Sequence, residues 1–511
     1  FKNLLTIGSN NCNEWILSLV CIFAYCKKIF EVKNYTDIII VGAGLSGVGA
    51  ACHLERKNPD KSYIIFEARD ELGGTWSLFK YPGIRSDSDM YTFGFSFKTW
   101  DNPKSFADAP NILKYLNEAA SEYKIKDKIK YQTKVLSANF DTQNKLWSIT
   151  TKDKNGNEEI YHSRFLFSCT GYYNYDEGYT PDFNGMENFQ GKIIHPQHWP
   201  ENLDYKNKRV VVIGSGATAV TIVPEMADET SKITMLQRSP TYVGAFPNND
   251  KYAELFKKYF PKKIAHKLIR FKNIFVQILF FQACKIWPNY MKKLLINAAQ
   301  KKLGDFPAKP HFEPNYNPWD QRFCVAPDGD LFKVIRSGKA NVITDKIDSF
   351  YKTGIKLASG KNLEADIIIS ATGLKLLAFG GSKITIDNAV YNPADAITYK
   401  GLMLSGLPNC IFFAGYTNAS WTLKSDLTSE YASRLFKLMD KEKYSFFMPK
   451  VENQNMNISP LLNLNSGYIH RSSHLFPKQG SKLPWKLYQN YFLDYKMLRI
   501  NNIKDKNLIL N

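Results

Sequence analysis

Two glycine clusters carry the first readable chemistry in this chain. Gly42-x-Gly44-x-x-Gly47 and Gly214-x-Gly216-x-x-Ala219 place small residues where a backbone must turn sharply and let something bulky approach. At the start of a helix, such a turn aims N–H groups and the positive end of the helix dipole at an anion. A pyrophosphate suits that geometry. In the first cluster Gly42 makes the turn, Gly44 admits the phosphates and Gly47 lets helix and strand pack closely. Glu67 follows 25 residues after Gly42, where a carboxylate can accept ribose hydroxyls. The second cluster is followed by Arg238 and Ser239 in place of an acid. A guanidinium pairs with a phosphate that a carboxylate would repel, so this second site favours NADPH over NADH.

These residues need strands and helices to hold them, and the flanking sequence supplies both. TDIIIVGAGLSG, a helical pattern to about Lys57 and SYIIF form one strand–helix–strand unit; NKRVVVIGSGATAVTIVPEMA and KITMLQRSPTY form another. Two such units imply two dinucleotides, FAD on the first and NADPH on the second. The expected fold is α/β, with two Rossmann-like dinucleotide-binding domains and a helical insertion in the NADPH domain. Gly73-Gly74-Thr75-Trp76, then Arg85, Ser86 and Asp87, lie in a run too rich in Gly, Pro, aromatic and acidic residues for helix or strand. It reads as an ordered loop around a ligand. KIKYQTKVLSANF, LWSITTK and EEIYHSRFLFSCTG read as a β-meander, with Asn155-Gly156 as a hairpin turn. EADIIISATGL closes the second unit through Ala371-Thr372-Gly373, and a helix from about Thr422 returns to the flavin. The expected partition is an extension over 1–34, an FAD-binding domain over 35–200 and 372–511, and an NADPH-binding domain over 201–371. The insert, about 245–329, is read first as a buried helical cap over the active site. The second reading is a basic, apolar face on a membrane surface.

Between the two units lies FQGKIIHPQHWP, with Phe189, Gly191, His195, Trp199 and Pro200 at fixed offsets. Alone it is ordinary turn chemistry. Its position makes it the joint between the modules, and His195 is read as fixing that joint with no part in proton transfer.

A chain of 511 residues is long enough for two or three domains, and 44% apolar with 23% charged residues is ordinary globular composition. The net charge of +19 could serve nucleic acid, an anionic membrane or anionic cofactors. Lys is scattered along the chain and no nucleic-acid motif occurs, so no nucleic-acid partner is expected. Eight Cys without a C-x-x-C pair argue against a disulfide framework and a metal site, and for a reducing, cytoplasmic setting. Trp15–Cys26 is an apolar run of 12 before Lys27 and Lys28, shorter than the roughly 17–25 residues of a spanning helix. A surface-packed extension is the favoured reading. Membrane association could come from residues 15–26 or from the insert. Oligomeric state is not readable.

The order of FAD module, F-x-G-x-x-x-H-x-x-x-W-P, NADPH module and ATG strand resembles the flavin-dependent Baeyer–Villiger monooxygenases. ELGGTW, YPGIRSDSDMYT, GYYNYDEGY, YNPWDQR and GYTNASWTLK are most similar to their ethionamide-activating subgroup. The resemblance runs from about Tyr35 to the C-terminal tail. It implies insertion of one oxygen of O2 into a ketone through a C4a-peroxyflavin, giving an ester or lactone, together with sulfoxidation of thioethers or thioamides. By the same matching, Arg322 is the catalytic cation and Asp87 the acid that orients it. Ser46, Glu67, Thr75, Trp76, Leu78, Asp87 and Val135 would contact FAD, Val135 through its backbone at the adenine. Arg85, Ser86, Asp87, the loop Gly214, Ser215, Gly216, Ala217, Thr218, Ala219 and Val220, and Arg238 with Ser239 would contact NADPH. The apolar, aromatic insert favours a hydrophobic ketone or thioether as substrate.

The related flavin-containing monooxygenases, which oxidise nitrogen and sulfur, typically lack the Trp-Pro ending of the joint motif. An enzyme of that kind without ketone activity is the runner-up, and a non-enzymatic flavin-binding protein is the alternative of another class. A disulfide reductase is excluded, because no Cys lies between Cys52 and Cys169.

Overall fold

The computed structural model describes residues 33–452, 456–461 and 467–511. Trp15–Cys26 and nearly all of the expected extension lie outside them.

Ile38, Ile39 and Ile40 are fully buried, as a strand covered on both faces requires. Their strand, Tyr35–Val41, runs parallel between Tyr63–Phe66 and Glu158–Ser168. The first sheet has nine strands. Its far side is the meander Thr133–Asp141, Leu146–Asp153 and Glu158–Ser168, paired antiparallel throughout. The Asp153 carboxylate accepts from the backbone N–H groups of Asn155 and Asn157, both at 2.8 Å, and Gly156 takes φ +88° at the turn. Later chain returns to this sheet: Lys383–Ile386 joins Thr133–Asp141, and Cys410–Phe412 joins the end of Glu158–Ser168.

The second sheet is wholly parallel, in the order Ala340–Thr344, Lys232–Gln237, Arg209–Ile213, Ile367–Ser370, Lys192–Ile194. The joint motif therefore contributes a strand of its own to this sheet, eight residues before the sequence-based boundary at Pro200. Phe189 anchors the approach by packing edge-on against Phe350 in the sheet's own core.

Three helices form the insert: Lys251–Tyr259, Lys262–Ile286 and Pro288–Leu303. The longest is buried on one side only, through Ala265, His266, Ile269, Arg270, Ile274 and Cys284. The expectation of a buried cap is corrected here, because apolar side chains also cover the side facing away from the protein. Arg270 ties the inner side to the first module. It donates to Tyr91 O at 2.9 Å and Gly94 O at 2.7 Å, and its Nη2 lies 3.0 Å from Asp426 Oδ2. Asp426 belongs to helix Trp421–Glu442, which packs on the glycine-turn helix Leu45–Lys57 and meets its His53 at 3.1 Å.

Candidate active site

Both sheets end at one cleft of about 1130 Å³, into which both glycine turns open. At the first turn, Gly42 has φ +101° and a Cβ there would lie 2.7 Å from Cys169 O. A Cβ on Gly47 would lie 1.9 Å from Gly42 O, so only hydrogen fits between helix and turn. Gly44 caps helix Leu45–Lys57 without a side-chain bond, which leaves the first N–H groups for a ligand. Across from it, Gly74 has φ +58°, and a Cβ there would come 3.0 Å from Gly44 Cα. The two backbones meet with no side chain between them, which keeps the approach to the helix N-terminus clear for a phosphate.

Glu67 ends its strand as expected. One carboxylate oxygen accepts from Ala43 N at 2.7 Å and the other from Arg69 N at 3.0 Å, which fixes the carboxylate and leaves lone pairs toward the cleft. Burial pushes its pKa up, opposed by those backbone donors. Arg69, which the sequence reading missed, clamps the facing turn by donating to Ser77 Oγ at 2.6 Å and to Gly74 O at 3.3 Å. Its only sequence signal was its place two residues after Glu67. Ser46 Oγ accepts from Trp421 Nε1 at 2.8 Å, bringing the late helix onto the first turn. Thr75 Oγ1 lies 3.3 Å from Tyr175 OH.

The second turn repeats this design more openly. Gly214 has φ +137°, a Cβ on it would strike Ala371 O at 2.4 Å, and a Cβ on Gly216 would meet nothing within 4 Å. Ala219, in the third-glycine position, is fully buried against the sheet. Ser215 Oγ donates to Ser239 O at 3.0 Å, joining the turn to the segment that carries Arg238. Arg238 is exposed in the cleft. Arg471, from the C-terminal region, lies 3.4 Å over the ring of Tyr179 in the same cleft. Burial lowers its pKa, and Arg238 is close enough to push the same way. Arg471 and Lys346 add positive charge that no motif announced.

Asp87 and Arg322 come together between the turns, with Arg322 Nε 3.8 Å from Asp87 Oδ2 and the side chains 39% and 29% exposed for Arg322 and Asp87. Both side chains line the cleft and are within reach of its contents. Arg85 is held by Asp330 at 2.5 Å, while its Nη2 is buried without a protein partner among the described residues. Of the remaining expected contacts, Ser86, Trp76, Val135, Ala217 and Thr218 line the cleft. Leu78, Gly47, Ala219 and Val220 do not. Leu78 packs instead against the core of the second sheet.

At the joint, His195 Nδ1 accepts from Gln197 N at 3.2 Å, so Nε2 carries the proton and donates to Gly373 O at 3.0 Å. Thr372 Oγ1 donates to Tyr179 O at 2.7 Å. Tyr179 N donates in turn to Gly373 O at 3.1 Å, so the two crossings between the sheets, one between Ser168 and Lys192 and the other at Gly373, are bonded to each other and His195 braces the second. Burial lowers the His195 pKa, in keeping with a neutral ring. Trp199 packs on the second core and Pro200 is exposed.

Two nucleotide-type sheets sharing one cleft define the two-dinucleotide class of α/β flavoproteins. Residues 35–379 match the flavin-binding monooxygenase-like family model, and the chain belongs to that family. It is 49% identical to the FAD-containing monooxygenase EthA of Mycolicibacterium smegmatis, over 93% of this chain and 97% of that protein. It is 46% identical to the probable FAD-binding monooxygenase AlmA of Acinetobacter baylyi, over 92% of this chain and 94% of that one. Among solved structures, an oxidised steroid monooxygenase bound to NADP superposes with a TM-score of 0.71 at 19% identity, covering 93% of this chain and 99% of that one. A cyclohexanone monooxygenase from Rhodococcus bound to NADP+ gives 0.65 at 20% identity, covering 82% and 87%. At these identities the structures speak for the fold. The family resemblance read from the sequence is borne out.

Proposed function

We propose that this enzyme uses FAD and NADPH to insert one oxygen atom of O2 into apolar ketones, giving esters or lactones, and also oxidises thioethers or thioamides. FAD is assigned to the first sheet, residues 35–200 and 372–511, and NADPH to the second, residues 201–371, with strand Lys192–Ile194 counted with the second. The observation that carries this reading is that both glycine turns, Arg238 and the Arg322–Asp87 pair open on one cleft.

The residues fit the cofactors. The uncapped helix N-terminus at Gly44, beside the bare backbone of Gly74, takes the FAD pyrophosphate, and Glu67 takes the ribose hydroxyls. Gly216 leaves room for the second pyrophosphate, and Arg238 with Ser239 takes the additional phosphate of NADPH. The buried Nη2 of Arg85 supplies a donor that no protein group satisfies. When bound, FAD accepts hydride from NADPH and activates O2. Arg322 places a fixed positive charge in the cleft, where oxygen transfer to a carbonyl builds up anionic charge. Asp87, 3.8 Å from Arg322 Nε, would orient that guanidinium toward the cleft. Trp76 and Trp421, with Tyr172 stacked on Trp421 at 5.2 Å, keep water from this end of the cleft.

Arg322→Ala is expected to abolish ester formation from a ketone while retaining FAD, as read by product analysis and flavin absorbance. Ketone oxidation at the original rate would refute the assignment. With the unaltered enzyme, sulfoxide from a thioether but no ester from any linear, cyclic or aryl ketone would establish the heteroatom-oxidising reading instead. NADPH oxidation that no substrate changes would leave only a flavin-binding protein.

A further inference from the structure

We propose that the outer face of the insert helix Lys262–Ile286 docks this enzyme on an anionic membrane surface. Ile264, Leu268, Phe271, Phe275, Leu279 and Ile286 stand at offsets of 0, 4, 7, 11, 15 and 22 and are all exposed. At 3.6 residues per turn they form one stripe. It lies opposite the buried stripe through Ala265, Ile269 and Cys284, so the helix is apolar on two sides and the protein covers only one.

The patch extends beyond its helix. Phe271 meets Phe492 from the C-terminal region at 5.8 Å, and Leu493 beside it is exposed. At the other end Trp287 and Tyr290 are 60% and 66% exposed, the aromatic types that settle at a lipid headgroup boundary. A contiguous apolar surface of this kind needs a partner.

Charge identifies that partner. Residues 251–303 contain twelve Lys and Arg270 against one acid, Glu254, so the insert carries +12 of the chain's +19. Lys262 and Lys285 are paired, with Asp101 and Asp320. Lys263 and Lys267, on the flank of the stripe, are exposed and have no ion-pair partner among the described residues. Apolar side chains bordered by unpaired lysines match an anionic bilayer, in which the side chains enter the acyl boundary and the ammonium groups reach the headgroups. A second copy would set the same lysines against each other. No helix of the described residues is long and apolar enough to cross a membrane, so the helix would lie in the interface. Its inner side bonds the loop around Asp87, with Asn273 donating to Asp89 at 2.7 Å, so docking would hold the cleft near a source of apolar substrate. The docking itself does not depend on which substrate is oxidised.

The test is co-sedimentation of the FAD-loaded enzyme with vesicles of equal phosphatidylglycerol and phosphatidylcholine, and with phosphatidylcholine alone. Binding is expected to the anionic vesicles and to fall with salt. The triple variant Phe271→Ser, Phe275→Ser, Leu279→Ser and the double variant Lys263→Glu, Lys267→Glu should each weaken it by at least about tenfold. FAD content and NADPH oxidation should be unchanged, which separates lost docking from lost folding. Failure to sediment with anionic vesicles, or equal binding by both variants and the parent, overturns the proposal. So does sedimentation velocity without lipid in which the triple variant converts an oligomer to a monomer, which would assign the face to a second copy.

Discussion

Arg322 and Asp87 show how a weak contact can matter more than a strong one. A partly exposed pair at 3.8 Å contributes little to stability. What the pair contributes on the proposed reading is a cation held in the cleft. Arg238 has a simpler task, and truncating it tests cofactor choice: Arg238→Ala should raise KM for NADPH by about ten- to a hundredfold, the loss of one charge-assisted bond, and leave KM for NADH unchanged in steady-state kinetics. Equal effects on both would place the extra phosphate elsewhere. Residues in local motifs, such as Glu67 and the glycines, were legible because strand, turn and helix follow one another in the chain. Lys346 and Arg471 were not, because each enters the cleft through tertiary packing with no local signal, and for Arg69 nearness to Glu67 did not announce its clamp on Ser77 and Gly74.

Among the elements, the joint responds to pH through His195. His195 is bonded as a neutral ring, and its pKa lies below the ordinary value of about 6.5. The unfolded chain therefore binds the proton first, and the stability contributed by the ring is lost as pH falls from about 6.5 toward the folded value. His195→Gln should flatten the fall in melting temperature between about pH 7 and 5, measured by flavin fluorescence; an unchanged slope would remove His195 from the joint. Asp426 acts lower on the scale. Burial alone would raise its pKa, but the bond from His53 and the charge of Arg270 outweigh burial and hold it below the usual range. Its contribution is present above the unfolded carboxyl value and lost as pH falls through the folded one. Asp426→Ala leaves Arg270 buried without its counter-charge and should cost about 3–5 kcal/mol in urea unfolding. A cost under about 1 kcal/mol would mean that the network is incidental. Strand periodicity made both sheets legible. Strand Lys192–Ile194 was hidden inside turn-rich sequence, because an edge strand of three residues carries too short a pattern to read. The insert was legible as helical and apolar, but sequence alone did not separate its inner face from its outer one.

At the scale of the molecule, two nucleotide-type sheets meet at one cleft, and among the described residues the chain crosses between them at the segment that carries Tyr179 and again at Gly373, with hydrogen bonds between the two crossings. On the proposed reading, hydride and oxygen chemistry would share that chamber, while most of the net positive charge is carried away from it, on the insert. Ketone oxygenation by the enzyme itself is the central claim. The most direct measurement supplies NADPH, a hydrophobic ketone and oxygen-18 gas, and analyses the product by mass spectrometry. One labelled oxygen atom in an ester or lactone, with one NADPH consumed per product, is the predicted result; NADPH consumed with the ketone recovered unchanged, across linear, cyclic and aryl ketones, would contradict it.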